Sequence, residues 1–110
     1  MKSKYRLKKN YQYNYVYKHA KSVADKNFVM LFCKSNNPTS QAGFSISKKF
    51  GNAVRRNKIR RQLKAAVSVF MPNVKPYYNI VFIPRKSESY VYSDVVDSVT
   101  RLFDKSGLLV

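Results

Sequence analysis

The residues with the most chemistry in this chain are closely spaced cations. From Ser45 to Lys64 the sequence reads SISKKFGNAVRRNKIRRQLK, placing Lys48, Lys49, Arg55, Arg56, Lys58, Arg60, Arg61 and Lys64 with no acid among them. Ammonium and guanidinium groups at this density break no bonds themselves, but they hold phosphates, and guanidinium does so through two parallel hydrogen bonds. A charge run is more often a solvated face than a site, yet solvated faces ordinarily mix both signs. A one-sign run of this length implies an RNA or DNA backbone as partner.

Groups suited to catalysis are sparse. His19 is the sole histidine and has no Ser or Cys placed beside it by any motif, so a surface or capping role suits it. Asp25, Glu88, Asp94, Asp97 and Asp104 are too scattered for a carboxylate dyad or a metal pair. Three glycines do not build a phosphate-cradling loop. Cys33 stands alone, which excludes an internal disulfide and leaves no second ligand at metal-binding spacing. No catalytic residue and no metal site are expected within the protein, and a reducing cytoplasm is the simplest setting.

As elements of structure, the two halves of the cationic stretch differ. The first alternates like a strand and the second has helical spacing, with Lys-Lys-Phe-Gly-Asn between. Asn52 is a good N-cap, and Gly51 before it eases the turn. With Ile59 as reference, Leu63, Ala66, Val67 and Phe70 form one apolar stripe at 3.6 residues per turn. Asn57, Arg61, Lys64 and Ser68 repeat the spacing on another face. Arg55, Arg56 and Lys58 gather at the N-terminal end, where the helix dipole disfavours cations by up to about 1 kcal/mol each. Free N–H groups beside arginines at a helix start favour an external phosphate.

The rest of the chain supplies a scaffold. Its 110 residues make a single domain, 1–110, with a modest core. Lys and Arg number 22 against 5 Asp and Glu, a formal charge of +17 that attracts polyanions and repels itself. No acid lies between Lys26 and Ser87, so the middle is uniformly basic. Hydrophobic content of 45% argues against a disordered basic tail. No apolar run indicates export or membrane spanning, and the apolar stripes look committed to a core rather than to a membrane surface.

Residues 1–9 read as a basic arm, either mobile until bound or simply frayed. Asn10–Ala20 is ambiguous between strand and helix. The spacing of Tyr13, Val16, Tyr17 and Ala20 favours a short helix, whose tyrosines could serve a core or stack on bases. Phe28–Cys33 alternates as a strand. Ala42–Ser47 is a second, with Ala42, Phe44 and Ile46 on a core face and Gly43, Ser45 and Ser47 on a small, polar one that leaves room for something to lie on it. Asn79–Ile83 is an apolar strand, residues 85–90 a loop, and Val95, Val99, Leu102 and Phe103 mark a last amphipathic helix ending near Gly107. With a short strand after the first helix, the order is helix–strand–strand–strand–helix–strand–helix. The expected class is α+β, a two-layer domain with helices packed on one mixed sheet.

The run Ser47-Lys48-Lys49-Phe50-Gly51-Asn52-Ala53-Val54, followed by Arg56-Asn57-Lys58-Ile59-Arg60-Arg61, resembles the protein subunit of bacterial ribonuclease P. The resemblance extends over nearly the whole chain, through Arg6-Leu7-Lys8-Lys9-Asn10, Ser22-Val23-Ala24, Leu102-Phe103 and Lys105-Ser106. It implies a protein that binds the catalytic ribonuclease P RNA and the single-stranded 5′ leader of precursor tRNA. The RNA removes that leader with magnesium ions, and the protein aids substrate affinity and metal use. It also implies a left-handed strand–helix–strand crossover, against the right-handed default.

On this resemblance Lys48, Lys49, Arg55, Arg56, Lys58 and Arg60 contact the catalytic RNA, while Tyr13, Tyr17, Leu31, Ser45, Asn57, Arg61 and Lys64 line the leader groove. Some positions depart from the family pattern. Leu31 stands where an aromatic is frequent, Tyr13 and Tyr17 where Phe is usual, Arg60 where Lys is common and Lys64 where Arg is. These departures bear on leader preference. Ribonuclease P RNA and precursor tRNA are the partners implied, with neither a membrane nor an obligate protein partner. The alternative is a structural RNA-binding module, such as a ribosomal protein of similar architecture.

Overall fold

The computed structural model describes residues 1–85 and 90–110. Its elements run α1 (Asn10–His19), β1 (Lys21–Ala24), β2 (Phe28–Lys34), β3 (Gln41–Phe44), α2 (Ala53–Phe70), β4 (Tyr78–Pro84) and α3 (Tyr92–Ser106). This is the expected α+β order. The middle of the loop expected at residues 85–90 lies outside the described residues.

Alternation in β2 and β4 organises the sheet. Phe28, Met30, Ile80 and Phe82 are fully buried on one face, where Ile59, Leu63, Ala66 and Val67 of α2 and Val95, Val99, Leu102 and Phe103 of α3 meet them. Each large side chain among them withdraws enough apolar surface to contribute about 1.5–3 kcal/mol. Leu31, Cys33 and Val81 point the opposite way and pack against Val16 of α1 and against Leu7. The two-layer expectation therefore gains a third, smaller layer: α2 and α3 cover one face, and α1 covers the other.

The strands lie in the order β1-β2-β4-β3. β2 is antiparallel to β1 and β4, whereas β3 runs parallel to β4, so α2 must carry the chain from one end of the sheet back to the other. This leaves β3 at an edge with α2 leaving from its end. The strand is shorter than expected, stopping at Phe44; Ser45 still donates its N–H to the Phe82 carbonyl at 3.0 Å. A 3₁₀ turn, Lys48–Phe50, then leads to α2.

The N-terminal residues, read as an arm, are laid along the β3 edge. Arg6 bridges Ala42 in parallel, Leu7 N–H donates to the Ala42 carbonyl at 2.9 Å, and the Leu7 side chain is buried. A covered edge offers no free row of backbone groups to another chain. At the other end, Gly107 closes α3 in the left-handed region at φ 70°, as the sequence predicts.

Candidate nucleic-acid interface

Three local features put the cations in place. The Asn52 side chain accepts the Arg55 N–H at 3.0 Å, the predicted N-cap of α2. Arg56 Nη1 donates to the Gly51 carbonyl at 2.8 Å, and the Arg55 guanidinium lies 5.7 Å from the Phe50 ring centre. Phe50 is itself buried and nearly parallel to Tyr90, at 6.1 Å, so the turn is fixed to the core. Lys48, Lys49 and Lys58 stay exposed around it. Among the described residues one ion pair is present, Arg101 with Asp25 at 3.4 Å, on the side of the fold where α3 meets the β1–β2 turn.

Above the β3 edge, α1 and α2 face each other across a trough. Tyr13 and Tyr17, with ring centres 6.4 Å apart, line a concavity of about 390 Å³ together with Phe44 and Ser45. A second cavity of about 150 Å³ shares Tyr13 and Phe44 and brings in Arg6, Gly43, Arg60 and Lys64. The aromatic end and the cationic end are thus one continuous surface. Gly43 makes it possible, because a Cβ there would collide with the Tyr13 ring and hydroxyl. The small, polar strand face does leave room, and what lies on it first is the protein's own tyrosine.

Electrostatics follow from this crowding. Burial pushes the Tyr13 hydroxyl above its usual pKa, against the Phe44 N–H and the guanidinium groups of Arg6 and Arg60, and the hydroxyl donates to the Leu7 carbonyl at 3.3 Å. Burial and the neighbouring Arg6 and Arg60 lower the Lys64 ammonium from its ordinary value. Like charges held this close are stabilised by an incoming anion. Burial raises the Cys33 thiol, which makes it an inert core residue. Among the described residues no three His, Cys, Asp or Glu side chains gather, and no helix is long and apolar enough to cross a membrane.

Of the predicted leader residues, the trough assembles Tyr13, Tyr17, Ser45 and Lys64. Asn57, Arg61 and Leu31 line neither cavity. Asn57 accepts a hydrogen bond from Arg60 Nη1 at 2.9 Å, Arg61 is exposed, and Leu31 packs in the small core beneath α1. Arg60, placed by resemblance with the catalytic-RNA contacts, instead turns into the trough beside Lys64. Sequence reasoning missed Arg6 here. Its signal is the position just before Leu7, whose docking against the sheet fixes the segment.

The Ribonuclease P family model matches residues 1–107. The chain is 36% identical to the ribonuclease P protein component of Clostridium novyi over 98% of both chains. It is 37% identical to that of Clostridioides difficile over 94% of this chain and 93% of the relative. Among solved structures it is similar to Staphylococcus aureus RNase P protein, with a TM-score of 0.87 at 30% identity, covering 96% of this chain and 98% of that one. It is also similar to RNase P protein from Thermotoga maritima, with a TM-score of 0.80 at 28% identity, covering 91% and 96%. By a match across almost its whole length, joined to the basic turn, the helix and the trough beside them, this chain belongs to the ribonuclease P protein family.

Proposed function

We propose that this protein is the RNA-binding partner in a ribonuclease P holoenzyme, gripping the catalytic RNA through one basic surface and the 5′ leader of precursor tRNA through the trough. The carrying observation is the continuity between Tyr13 and Tyr17 at one end and Arg6, Arg60 and Lys64 at the other. A single strand needs both an aromatic face for a base and cations for the backbone that follows it.

Lys48, Lys49, Arg55, Arg56 and Lys58 form the second surface, around the start of α2. Their roles on the catalytic RNA are phosphate contacts that position without reading sequence. Asn57 aims Arg60 into the trough, and Arg61 meets RNA at its rim. Cleavage belongs to the RNA, where magnesium supplies Lewis acidity and an activated water. This chain raises substrate affinity by holding the leader.

Reconstitution with a bacterial ribonuclease P RNA at low magnesium tests the reading. Added protein is expected to increase precursor-tRNA cleavage over RNA alone, and no increase overturns it. In the holoenzyme, Tyr17→Ala is expected to weaken precursor tRNA by about 1–3 kcal/mol while leaving mature tRNA unchanged.

A further inference from the structure

The opposite flank of α1 carries a second concavity that the leader trough does not use. It has a volume of about 670 Å³ and lies between Tyr11 and Tyr15 of α1, the loop after Lys34, and Asn79 of β4. Asn79 is 7% exposed, and its Oδ1 has no hydrogen-bond partner among the described residues. An asparagine inside a strand that otherwise reads Ile-Val-Phe-Ile is costly there unless its carboxamide is satisfied from outside.

Exposed aromatic rings and a cation surround this carboxamide. Tyr11 and Tyr15 are 68% and 52% exposed, large rings held at the protein surface with little apolar cover. Lys34 borders both this concavity and a neighbouring one of about 270 Å³ where Tyr15 and His19 pair their rings at 4.4 Å. The loop forming the far wall is pinned rather than loose. Tyr77, in the left-handed region at φ 68°, accepts the Ser35 N–H at 2.8 Å and donates its own N–H to the Pro38 carbonyl at 3.4 Å. A non-glycine residue held in that conformation keeps a wall in a fixed place.

We propose that this concavity binds one unpaired nucleotide of a partner RNA, its base seated against the Asn79 carboxamide and stacked on Tyr11, the more exposed of the two rings, its phosphate on Lys34. The inference rests on the RNA-binding reading of the chain but not on the leader trough. It makes α1 a two-sided element, with Tyr13 and Tyr17 serving one strand and Tyr11 another nucleotide.

The test uses the full-length, isotope-labelled protein titrated with ApApA and with the matching abasic trinucleotide, followed by amide NMR. The Asn79 side-chain amide and the backbone amides of Ser35, Asn36 and Asn37 are expected to shift with ApApA and not with the abasic probe. Equal responses, or no response at Asn79, overturn the proposal. Tyr11→Ala is expected to weaken ApApA at these signals about tenfold while leaving the Tyr17 region responsive. An unchanged affinity also overturns it.

Asn79→Val removes the carboxamide and is expected to abolish the response; should it misfold, Tyr11→Ala on its exposed ring decides. In the holoenzyme, a weaker grip of Tyr11→Ala on the RNA subunit assigns the nucleotide to that RNA. A loss confined to precursor over mature tRNA assigns it to the substrate. No loss in either, while Tyr17→Ala in the same assay does weaken precursor tRNA as the positive control, overturns the site. Because the NMR arm needs no ribonuclease P activity, failure of the pocket and failure of the holoenzyme reading remain separate results.

Discussion

A Cβ on Gly43 would enter space already filled by the Tyr13 ring, and Tyr13, with Phe44, is common to both parts of the trough. The glycine is needed for this close approach, not for an unusual backbone angle. Gly43→Ala is therefore expected to push the ring outward, at a cost of about 1–3 kcal/mol from overpacking. Denaturant titration measures that cost. Precursor-tRNA affinity should fall with it while mature-tRNA affinity holds, and a variant that loses stability but keeps the ratio of the two would separate Tyr13 from leader binding. Residue-scale detail also explains why Arg60 enters the trough although helical spacing sets it near Arg56. Its side chain is long enough to turn away and is aimed by Asn57.

At the scale of elements, α2 serves two purposes through two faces. Its apolar face buries Ile59, Leu63, Ala66 and Val67, and Leu63→Ala is expected to destabilise the protein by about 2–5 kcal/mol, read by denaturant titration. Loss of RNA binding without loss of stability in that variant would contradict this division. That helix was legible because a stripe, a cap and a one-sign charge run all agree locally, and α3 was legible from its stripe and Gly107. The end of β3 was not, since Gly43, Ser45 and Ser47 continue an alternation after the chain has left the ladder. Nor was the docking of Leu7, which depends on a strand far along the chain, or the sheet face chosen by α1, which its stripe cannot specify. Another long-range tie joins the β1–β2 turn to α3. Burial alone would raise the Asp25 carboxyl, but the N–H of Phe28, the Ser98 hydroxyl, the N–H of Asn27 and the Arg101 guanidinium outweigh it and lower the pKa. A carboxylate more acidic when folded stabilises the fold above its unfolded pKa of about 4. That contribution is lost as pH falls through the lower, folded value. Stability measured from pH 6 down to pH 2 is expected to decline more steeply in the wild type than in Asp25→Asn, and parallel curves would remove Asp25 from the account.

For the whole molecule, the governing quantity is a formal charge of +17 on a body with a radius of gyration of 12.9 Å. At moderate salt, charges on opposite sides of such a body are largely screened, but neighbours within about 10 Å are not. The repulsion that matters is therefore local, and it is concentrated where Arg6, Arg60 and Lys64 share one cavity with few compensating groups. Any anion that binds the folded protein and not the unfolded chain raises stability in proportion to the logarithm of its concentration once it is well above its Kd. Sulfate is expected to raise Tm well beyond chloride at equal ionic strength, and Arg60→Gln to reduce that difference by removing a cation from the cavity. The same substitution should lower the salt dependence of RNA binding by about one ion for each phosphate that Arg60 held. Equal responses of Tm to sulfate and chloride would mean that screening alone relieves the charge. An unchanged salt slope in Arg60→Gln would mean that its guanidinium touches no phosphate in the complex. With both observed, the strain of free cations in the trough and its affinity for a strand become two measurements of the same field.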